Sequence, residues 1–297
     1  MPTDNLSTSS QPATCVLLAT DLSARCDRAL DRASQLCQQW DAELLAVNVL
    51  ELGRAPDMAL DWVYGDDQRS LKFANQQLQQ DLAGLSIRTD MQIVQGSPCE
   101  EIVKLANARQ ARLVVTGMAK DELFGRFLAG STVESLARQV SQPLLVVRKR
   151  PHRPYQRILV ATDFSESSRY AMQTALAFFP VESLILYHAH QSPMAGAIDE
   201  RASSSAGNAL MQRAFADFLA ASGMHADQAA RVSCVAENGG LEKVLTQYVR
   251  DQAIDLVIMG THGRSGLLDV LLGSAAAKLL DWLPCDTMIV RDPRTKT

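Results

Sequence analysis

Several features that mark particular classes of protein are missing from this sequence. The chain of 297 residues has a formal net charge of −4, whereas a protein that binds nucleic acid normally carries a basic face. No apolar run approaches the roughly 18 residues that a membrane-spanning helix needs. The polar segment from Met1 to Ala13 lacks the basic start and the apolar centre of a signal peptide. We therefore expect a disordered tail over residues 1–13, and neither nucleic acid nor a membrane as a partner.

Cysteine is sparse and does not follow a metal-binding or redox pattern. The six cysteines form neither a CxxC motif nor a cluster with metal-ligand spacing. His188 and His190 share a face of a predicted strand, but the sequence places no acidic residue or cysteine near them as a further ligand. We predict no metal site. Unpaired thiols of this kind suit the reducing cytoplasm, which is the expected location.

An internal duplication is the clearest feature that the sequence does contain. The repeated segments are 16–23 with 158–165, 113–117 with 256–260, and 130–131 with 273–274. Because the register between these landmarks is nearly constant, the sequence predicts two tandem domains, over 14–149 and 156–294, joined by a linker over 150–155. The basic stretch from Arg148 to Arg150 at this junction is interpreted as solvated.

Strands and helices alternate within each half. In the second half, for example, Arg231–Ala236 is predicted to be a short strand and Ser274–Trp282 a helix. Near-continuous apolar strands indicate a parallel sheet that is covered on both faces, so each half is predicted to be a doubly wound α/β domain. We also expect the last strands of the halves, 144–147 and 287–291, to pair, because bare apolar edges are a liability.

A glycine-rich loop marks a candidate phosphate site in the second half. Gly260 and Gly263 are followed after nine residues by Gly273 and Ser274, between an apolar strand and a helix. Glycine lets the backbone approach a ligand closely, and the amides at a helix N-terminus favour anionic oxygens. Asp163 ends a strand predicted to lie beside this loop, where its carboxylate can accept hydrogen bonds from ribose hydroxyls. Together these features indicate a nucleotide pocket.

The segments 158–165 and 184–189, together with this glycine spacing, resemble the universal stress protein family in its tandem form. The resemblance extends over the whole chain after the N-terminal tail. It implies two Rossmann-like domains, each with a five-stranded parallel sheet, and ATP binding in members that carry the full glycine motif. It also implies an internal pseudo-dimer, in which the last strands of the two domains pair.

The resemblance also implies a role for individual residues of the second half. Thr162 and Asp163 fall beside the ribose and adenine, and a backbone group of Ala189 falls at the adenine edge. The remaining residues line the nucleoside or follow the phosphates: Met259, Gly260, His262, Gly263, Arg264, Gly273, Ser274 and Ala275. Arg264 is suited to bidentate contact with a phosphate, and His262 is expected to donate a hydrogen bond. No residue is assigned a catalytic role.

The first half departs from this pattern in the loop, where Met118, Ala119 and Lys120 replace Thr261, His262 and Gly263. Lys120 stands where the second half has Gly263, so a side chain can block the approach of the loop or direct its ammonium at a phosphate. A weaker pocket is therefore expected in the first half. Its candidate residues are Thr20, Asp21, Val49, Thr116, Gly117, Lys120, Gly130, Ser131 and Thr132.

The resulting hypothesis is a cytoplasmic stress-response or signalling protein that binds ATP, with or without a divalent cation, mainly in its second domain. The sequence carries no Walker lysine loop and no obvious base for activating water. Two alternatives stay open: slow ATP hydrolysis or nucleotidyl transfer, and a nucleotide-free interaction or chaperone-like module. A further homodimer of the whole chain also stays open.

Overall fold

A computed structural model describes residues 14–24, 26–51, 67–118, 131–190, 200–261 and 273–295, without the side chains of 67, 131, 200–207 and 295. The predicted tail over 1–13 lies outside the described residues. Within them, no helix is both long and apolar enough to cross a membrane.

Ten strands of the described chain form one continuous sheet. Their bounds are β1 Cys15–Ala19, β2 Glu43–Leu50, β3 Thr89–Gln95, β4 Leu113–Gly117, β5 Leu144–Val147, β6 Ile158–Ala161, β7 Leu184–His190, β8 Ser233–Asn238, β9 Leu256–Gly260 and β10 Asp286–Val290. The order across the sheet is β3-β2-β1-β4-β5-β10-β9-β6-β7-β8. Each half thus contributes five parallel strands in the same relative order, which confirms the predicted fold class.

The two halves of the sheet meet at their last strands. β5 and β10 pair antiparallel, with Met288 opposite Leu145 and Ile289 opposite Leu144. All the other strand pairs are parallel. The prediction that these two edges pair is confirmed, and the pairing satisfies backbone groups that a bare edge would expose.

Helices cover both faces of the sheet. Their bounds are α1 Asp27–Trp40, α2 Asp67–Leu82, α3 Pro98–Ala108, α4 Ser131–Gln139, α5 Glu166–Phe178, α6 Glu200–Ala221, α7 Ala226–Ala229, α8 Leu241–Asp251 and α9 Ser274–Trp282. The predicted helix Ser274–Trp282 is confirmed. The predicted strand Arg231–Ala236 is shifted to Ser233–Asn238, because α7 and the turn after it occupy the chain up to Val232.

Alternate strand residues divide the core into two layers. Leu17 and Ala19 of β1 belong to a cluster that α3, α4, α8 and α9 cover, whereas Val16 and Leu18 belong to one that α1, α5 and α6 cover. Both layers contain residues from both halves of the chain. The sheet therefore has no solvent-facing side in its centre, as continuous apolar strands predict.

The junction between the halves is held by the carboxylate of Asp286, the first residue of β10. Asp286 is 1% exposed; its Oδ1 accepts the backbone N–H groups of Arg148 and Lys149 at 2.8 and 3.0 Å. Its Oδ2 accepts the Tyr155 hydroxyl at 2.6 Å and lies 3.5 Å from Nε of Arg32. The solvated interpretation of this stretch is wrong for Arg148, which is 8% exposed.

Candidate functional site

A cavity lies at the carboxyl ends of β6 and β9. These strands are neighbours. The described helices that come next in the chain, α5 and α9, cover opposite faces of the sheet, and doubly wound domains bind ligands at such a point. The wall is partly apolar and partly polar. The lining residues are Ala161, Thr162, Asp163, Ser168, Tyr187, Ala189, Leu241, Met259, Gly260, Thr261, Gly273, Ala275, Ala276 and Leu279.

The structure brings most of the predicted second-half residues together at this cavity. Those that line it are Thr162, Asp163, Ala189, Met259, Gly260, Gly273 and Ala275. Ser274 begins α9 between two of them. The predicted phosphate-path residues His262, Gly263 and Arg264 lie outside the described residues.

The turn after β6 presents Asp163 to the cavity in a fixed orientation. Thr162 Oγ1 accepts the N–H of Phe164 at 2.9 Å, and Asp163 Oδ1 accepts the N–H of Ser165 at 3.1 Å. Phe164 adopts a positive φ of 63° within this turn. The hydroxyls of Thr162 and Ser168 lie 3.0 Å apart and join the turn to the first turn of α5. Because the turn is cross-linked in this way, the half-buried Asp163 carboxylate is preorganised at the rim of the cavity.

His188 has a structural role beside this turn. Its Nδ1 lies 2.7 Å from the carbonyl oxygen of Thr162, which can only accept, so Nδ1 carries the proton. The ring also packs on Phe164 with a centroid separation of 4.6 Å. No group of three or more potential metal ligands occurs in the described part of the chain.

Half of the residues that line the cavity were missed by sequence reasoning, and most of these are apolar or aromatic. Tyr187 is fully buried, and its hydroxyl donates to Glu237 Oε2 at 2.9 Å. Burial, and next the hydrogen bond to Glu237, raise the pKa of Tyr187, so the phenol stays neutral. The other missed lining residues are Ala161, Ser168, Leu241, Thr261, Ala276 and Leu279. Small and aliphatic residues of this kind carry no motif, since their patterns match those of any core residue.

The two described glycines of the motif have roles within the protein. A Cβ on Gly260 would meet the side chain of Ser167 and lie 2.8 Å from the Ser167 carbonyl oxygen, so glycine allows α5 to pack against β9. The N–H of Gly273 donates to the Thr261 carbonyl at 2.9 Å. Gly273 precedes α9 without a side-chain cap, so anionic oxygens would meet the first-turn amides of Ser274 and Ala275.

The first half repeats the same turn with different partners. Asn48 Nδ2 donates to the Thr20 carbonyl at 2.9 Å, as His188 does to Thr162, and Leu22 has a positive φ of 59°. Asp21 Oδ1 accepts the N–H of Ser23 at 2.9 Å and the thiol of Cys26 at 3.0 Å. Burial acts to raise the pKa of Asp21, but these hydrogen bonds outweigh it and lower the pKa.

The other first-half candidates fall at equivalent positions. Thr116 and Gly117 end β4, Val49 lies in β2, and Ser131 and Thr132 begin α4. Lys120 and Gly130 lie outside the described residues.

A second groove runs between the start of α1 and residues 148–152. Its charged lining residues are Asp27, Arg28, Asp31, Asp81, Arg148, Lys149, Arg150 and His152. Arg150 Nε lies 3.2 Å from Asp31 Oδ2, and Arg28 donates to the Arg148 carbonyl at 2.9 Å. Because carboxylates and cations face the same space and pair with each other, the groove does not select a ligand of one charge.

The strand order and the cavity at the strand ends define a doubly wound α/β protein with a candidate ligand site at its topological switch point. A family model described as the universal stress protein family matches residues 14–148 and 154–291, so the chain belongs to that family. It is 24% identical over 303 residues to a universal stress protein of Mycolicibacterium smegmatis, covering 93% of this chain and 96% of that one.

Two further relatives show how each half and the whole chain compare. A universal stress protein of Methanocaldococcus jannaschii is 26% identical over 142 residues, which cover 45% of this chain and 81% of the relative. The crystal structure of a universal stress protein from Archaeoglobus fulgidus superposes with a TM-score of 0.67 at 18% identity, covering 95% of this chain and 99% of that one. The latter shows a shared fold over both halves.

Proposed function

We propose that this chain binds an adenine nucleotide, ATP, in the cavity between β6 and β9 and acts in a stress response through the occupancy of that site. The observation that carries the proposal is the composition of the cavity. The lining includes apolar residues, the preorganised Asp163 carboxylate and the start of α9. These are the three surfaces that a base, a ribose and a phosphate chain require.

Each part of the nucleotide has a proposed partner. The base packs among Tyr187, Leu241 and Met259, and the ribose hydroxyls donate to Asp163. The phosphates meet the amides of Ser274 and Ala275, and the loop that carries His262 and Arg264 completes their path. A universal stress protein of this kind is proposed to work in the cytoplasm as an internal pseudo-dimer joined through β5 and β10.

Signalling by occupancy is favoured over rapid catalysis because, among the lining residues that the structure describes, no group suits the activation of water. Asp163 is the one carboxylate among the described lining residues, and its Oδ1 accepts the Ser165 N–H. Its proposed partner is the ribose, at the end of the ligand away from the terminal phosphate. Slow hydrolysis is tested by incubating the protein with ATP and Mg²⁺ and measuring the ADP formed.

Calorimetric titration of the purified protein with ATP, in the presence and absence of Mg²⁺, tests the proposal. Asp163→Ala should weaken binding about tenfold or more, which corresponds to about 1.4 kcal/mol. Asp21→Ala is the matched control, because it removes the equivalent carboxylate of the first half, and it should leave the affinity unchanged. No binding by the wild type would refute the proposal and favour a nucleotide-free interaction module. Loss of binding in Asp21→Ala alone would place the site in the first half.

A further inference from the structure

We propose that Met118 and Val133 close the first-half counterpart of the nucleotide cavity, so that each chain binds one nucleotide. The proposal rests on the proposed function and adds its stoichiometry and the residues that set it. It adds the wall of the cavity as a second cause of the difference between the halves, besides Lys120 in the loop, to which the sequence alone points.

Strand register fixes which residues of the two halves correspond. Val115 lies opposite Leu18 in the first half, as Ile258 lies opposite Val160 in the second. Counting three residues on from each, Met118 directly follows β4 at the position that Thr261 takes after β9.

Helix starts give the second correspondence. α4 begins at Ser131 and α9 begins at Ser274. Val133 is therefore the third residue of its helix, as Ala276 is of α9. Both assignments depend on backbone positions alone, so they are independent of the side chains being compared.

The side chains at these two positions differ in the way that closure requires. Thr261 and Ala276 line the second-half cavity with short side chains. All four side chains are buried, so the difference is one of size: Met118 and Val133 are larger than their counterparts, and both belong to the core layer that contains Ala19. Interiors are packed close to the density of organic crystals, so the added methyl and methylene groups take space that a ligand would need.

In the first half, the side chain of Asp21 also accepts hydrogen bonds from neighbouring residues of the protein. Cys26 occupies the position of Ser168, six residues after the equivalent threonine. Ser168 hydrogen-bonds that threonine, Thr162, whereas the Cys26 thiol donates to Asp21 Oδ1 at 3.0 Å. The same oxygen accepts the Ser23 N–H. The carboxylate that would meet a ribose thus receives two donors from its own turn.

The test is a gain of binding in the first half. Three variants are titrated with ATP: a wall variant with Met118→Thr and Val133→Ala, a loop variant with Lys120→Gly, and the combination of the two. We expect one site per chain in the wild type and in the loop variant, and two sites in the combination. In the wall variant we expect a weaker second site, because Lys120 still obstructs the loop. A second site in the loop variant alone, two sites in the wild type, or one site in a folded combination would overturn the inference.

The converse variant keeps the inference testable if the variant with Met118→Thr and Val133→Ala does not fold. Thr261→Met with Ala276→Val copies the first-half wall into the second half, and circular dichroism checks that it stays folded. The expected result is at least a tenfold loss of ATP affinity, and unchanged affinity would contradict closure by these side chains. Absence of binding in the wild type would instead remove the proposed function itself, which distinguishes the two failures.

Discussion

Gly260 at the end of β9 lies against the backbone of Ser167 in the first turn of α5. A Cβ on Gly260 would sit 2.8 Å from the Ser167 carbonyl oxygen and 2.9 Å from its carbonyl carbon. Atoms of a helix backbone cannot turn away as the end of a flexible side chain can. The glycine therefore permits the packing of α5 on β9, and the same contact positions Ser168 at the cavity.

Gly260→Ala should destabilise the protein even without a nucleotide. Displacing α5 or β9 to admit the methyl group is expected to cost about 1–3 kcal/mol or more. Urea denaturation of the nucleotide-free protein measures this. Gly223→Ala is the control, because no atom lies within 4 Å of the added Cβ and only the φ of +85° opposes it, at roughly 1–2 kcal/mol. A loss of less than about 1 kcal/mol at Gly260 would contradict the packing role.

The sequence predicted the architecture because its evidence is local and repeated. Apolar strands recur at matching positions, and Ser274 and Trp282 bound a helix in both the prediction and the structure. The pairing of β5 with β10 followed from the apolar character of both segments. The role of Gly260 could not be predicted in this way. A glycine that allows a helix to pack closely and a glycine that allows a ligand to approach give the same signal in the sequence.

The partners of Asp286 show a second limit of sequence reasoning. Tyr155 and Arg32 lie 131 and 254 positions away along the chain from Asp286 (286 minus 155 and 286 minus 32). No local pattern joins residues at such separations, and the Arg148 stretch looked like an ordinary charged linker. Of the residues that line the cavity, sequence reasoning named Asp163 and the two glycines, which stand out in a motif, and missed Tyr187 and Leu241, which do not.

Asp286→Ala should be among the most destabilising single changes in the chain. It removes the acceptor of two backbone N–H groups and of the Tyr155 hydroxyl and leaves the buried Arg32 without this carboxylate. Loss of one partner of a buried ion pair costs about 3–5 kcal/mol. Asp255→Ala is the matched control, since Asp255 accepts the N–H groups of Gln156 and Arg157 at an exposed position. Comparable urea midpoints for the two variants would contradict the prediction.

The Tyr155 hydroxyl should make stability depend on alkaline pH. Burial, and next the charge of Asp286, raise the pKa of Tyr155 well above its usual value of 10.0. The pKa of Tyr155 is higher in the folded than in the unfolded chain. The contribution of its hydroxyl to the free energy of unfolding is therefore fully present below pH 10. Above it the unfolded chain loses a proton that the folded chain keeps, so stability falls by about 1.4 kcal/mol per pH unit.

Tyr155→Phe isolates this contribution from those of the other titrating groups. At pH 8 the variant should be less stable than the wild type by about 1 kcal/mol, through loss of one buried hydrogen bond. Between pH 10 and 11 this gap should shrink or reverse, because phenylalanine has no proton to lose. Urea midpoints at pH 8 and 11 measure the gap, and a constant gap would show that Tyr155 titrates alike in both states.

Arg264 is predicted to recognise the phosphates and not the nucleoside. Arg264→Ala should lower the affinity for ATP about tenfold, which corresponds to about 1.4 kcal/mol, and leave the affinity for adenosine unchanged. Arg250→Ala removes the same charge from the exposed end of α8 and serves as the control. Equal losses for ATP and adenosine would indicate a general effect on the loop.

Gly263→Lys tests the glycine spacing directly, because it copies residue 120 of the first half into the second. The proposed site requires close approach of the backbone at position 263 to the phosphates, and a Cβ with a long side chain there would obstruct that approach. We expect ATP affinity to fall about tenfold or more. Gly263→Ala gives a graded control, with a smaller loss from the Cβ alone. Unchanged or tighter binding in the lysine variant would mean that its ammonium reaches the phosphates, and the glycine argument would then fail in both halves of the chain.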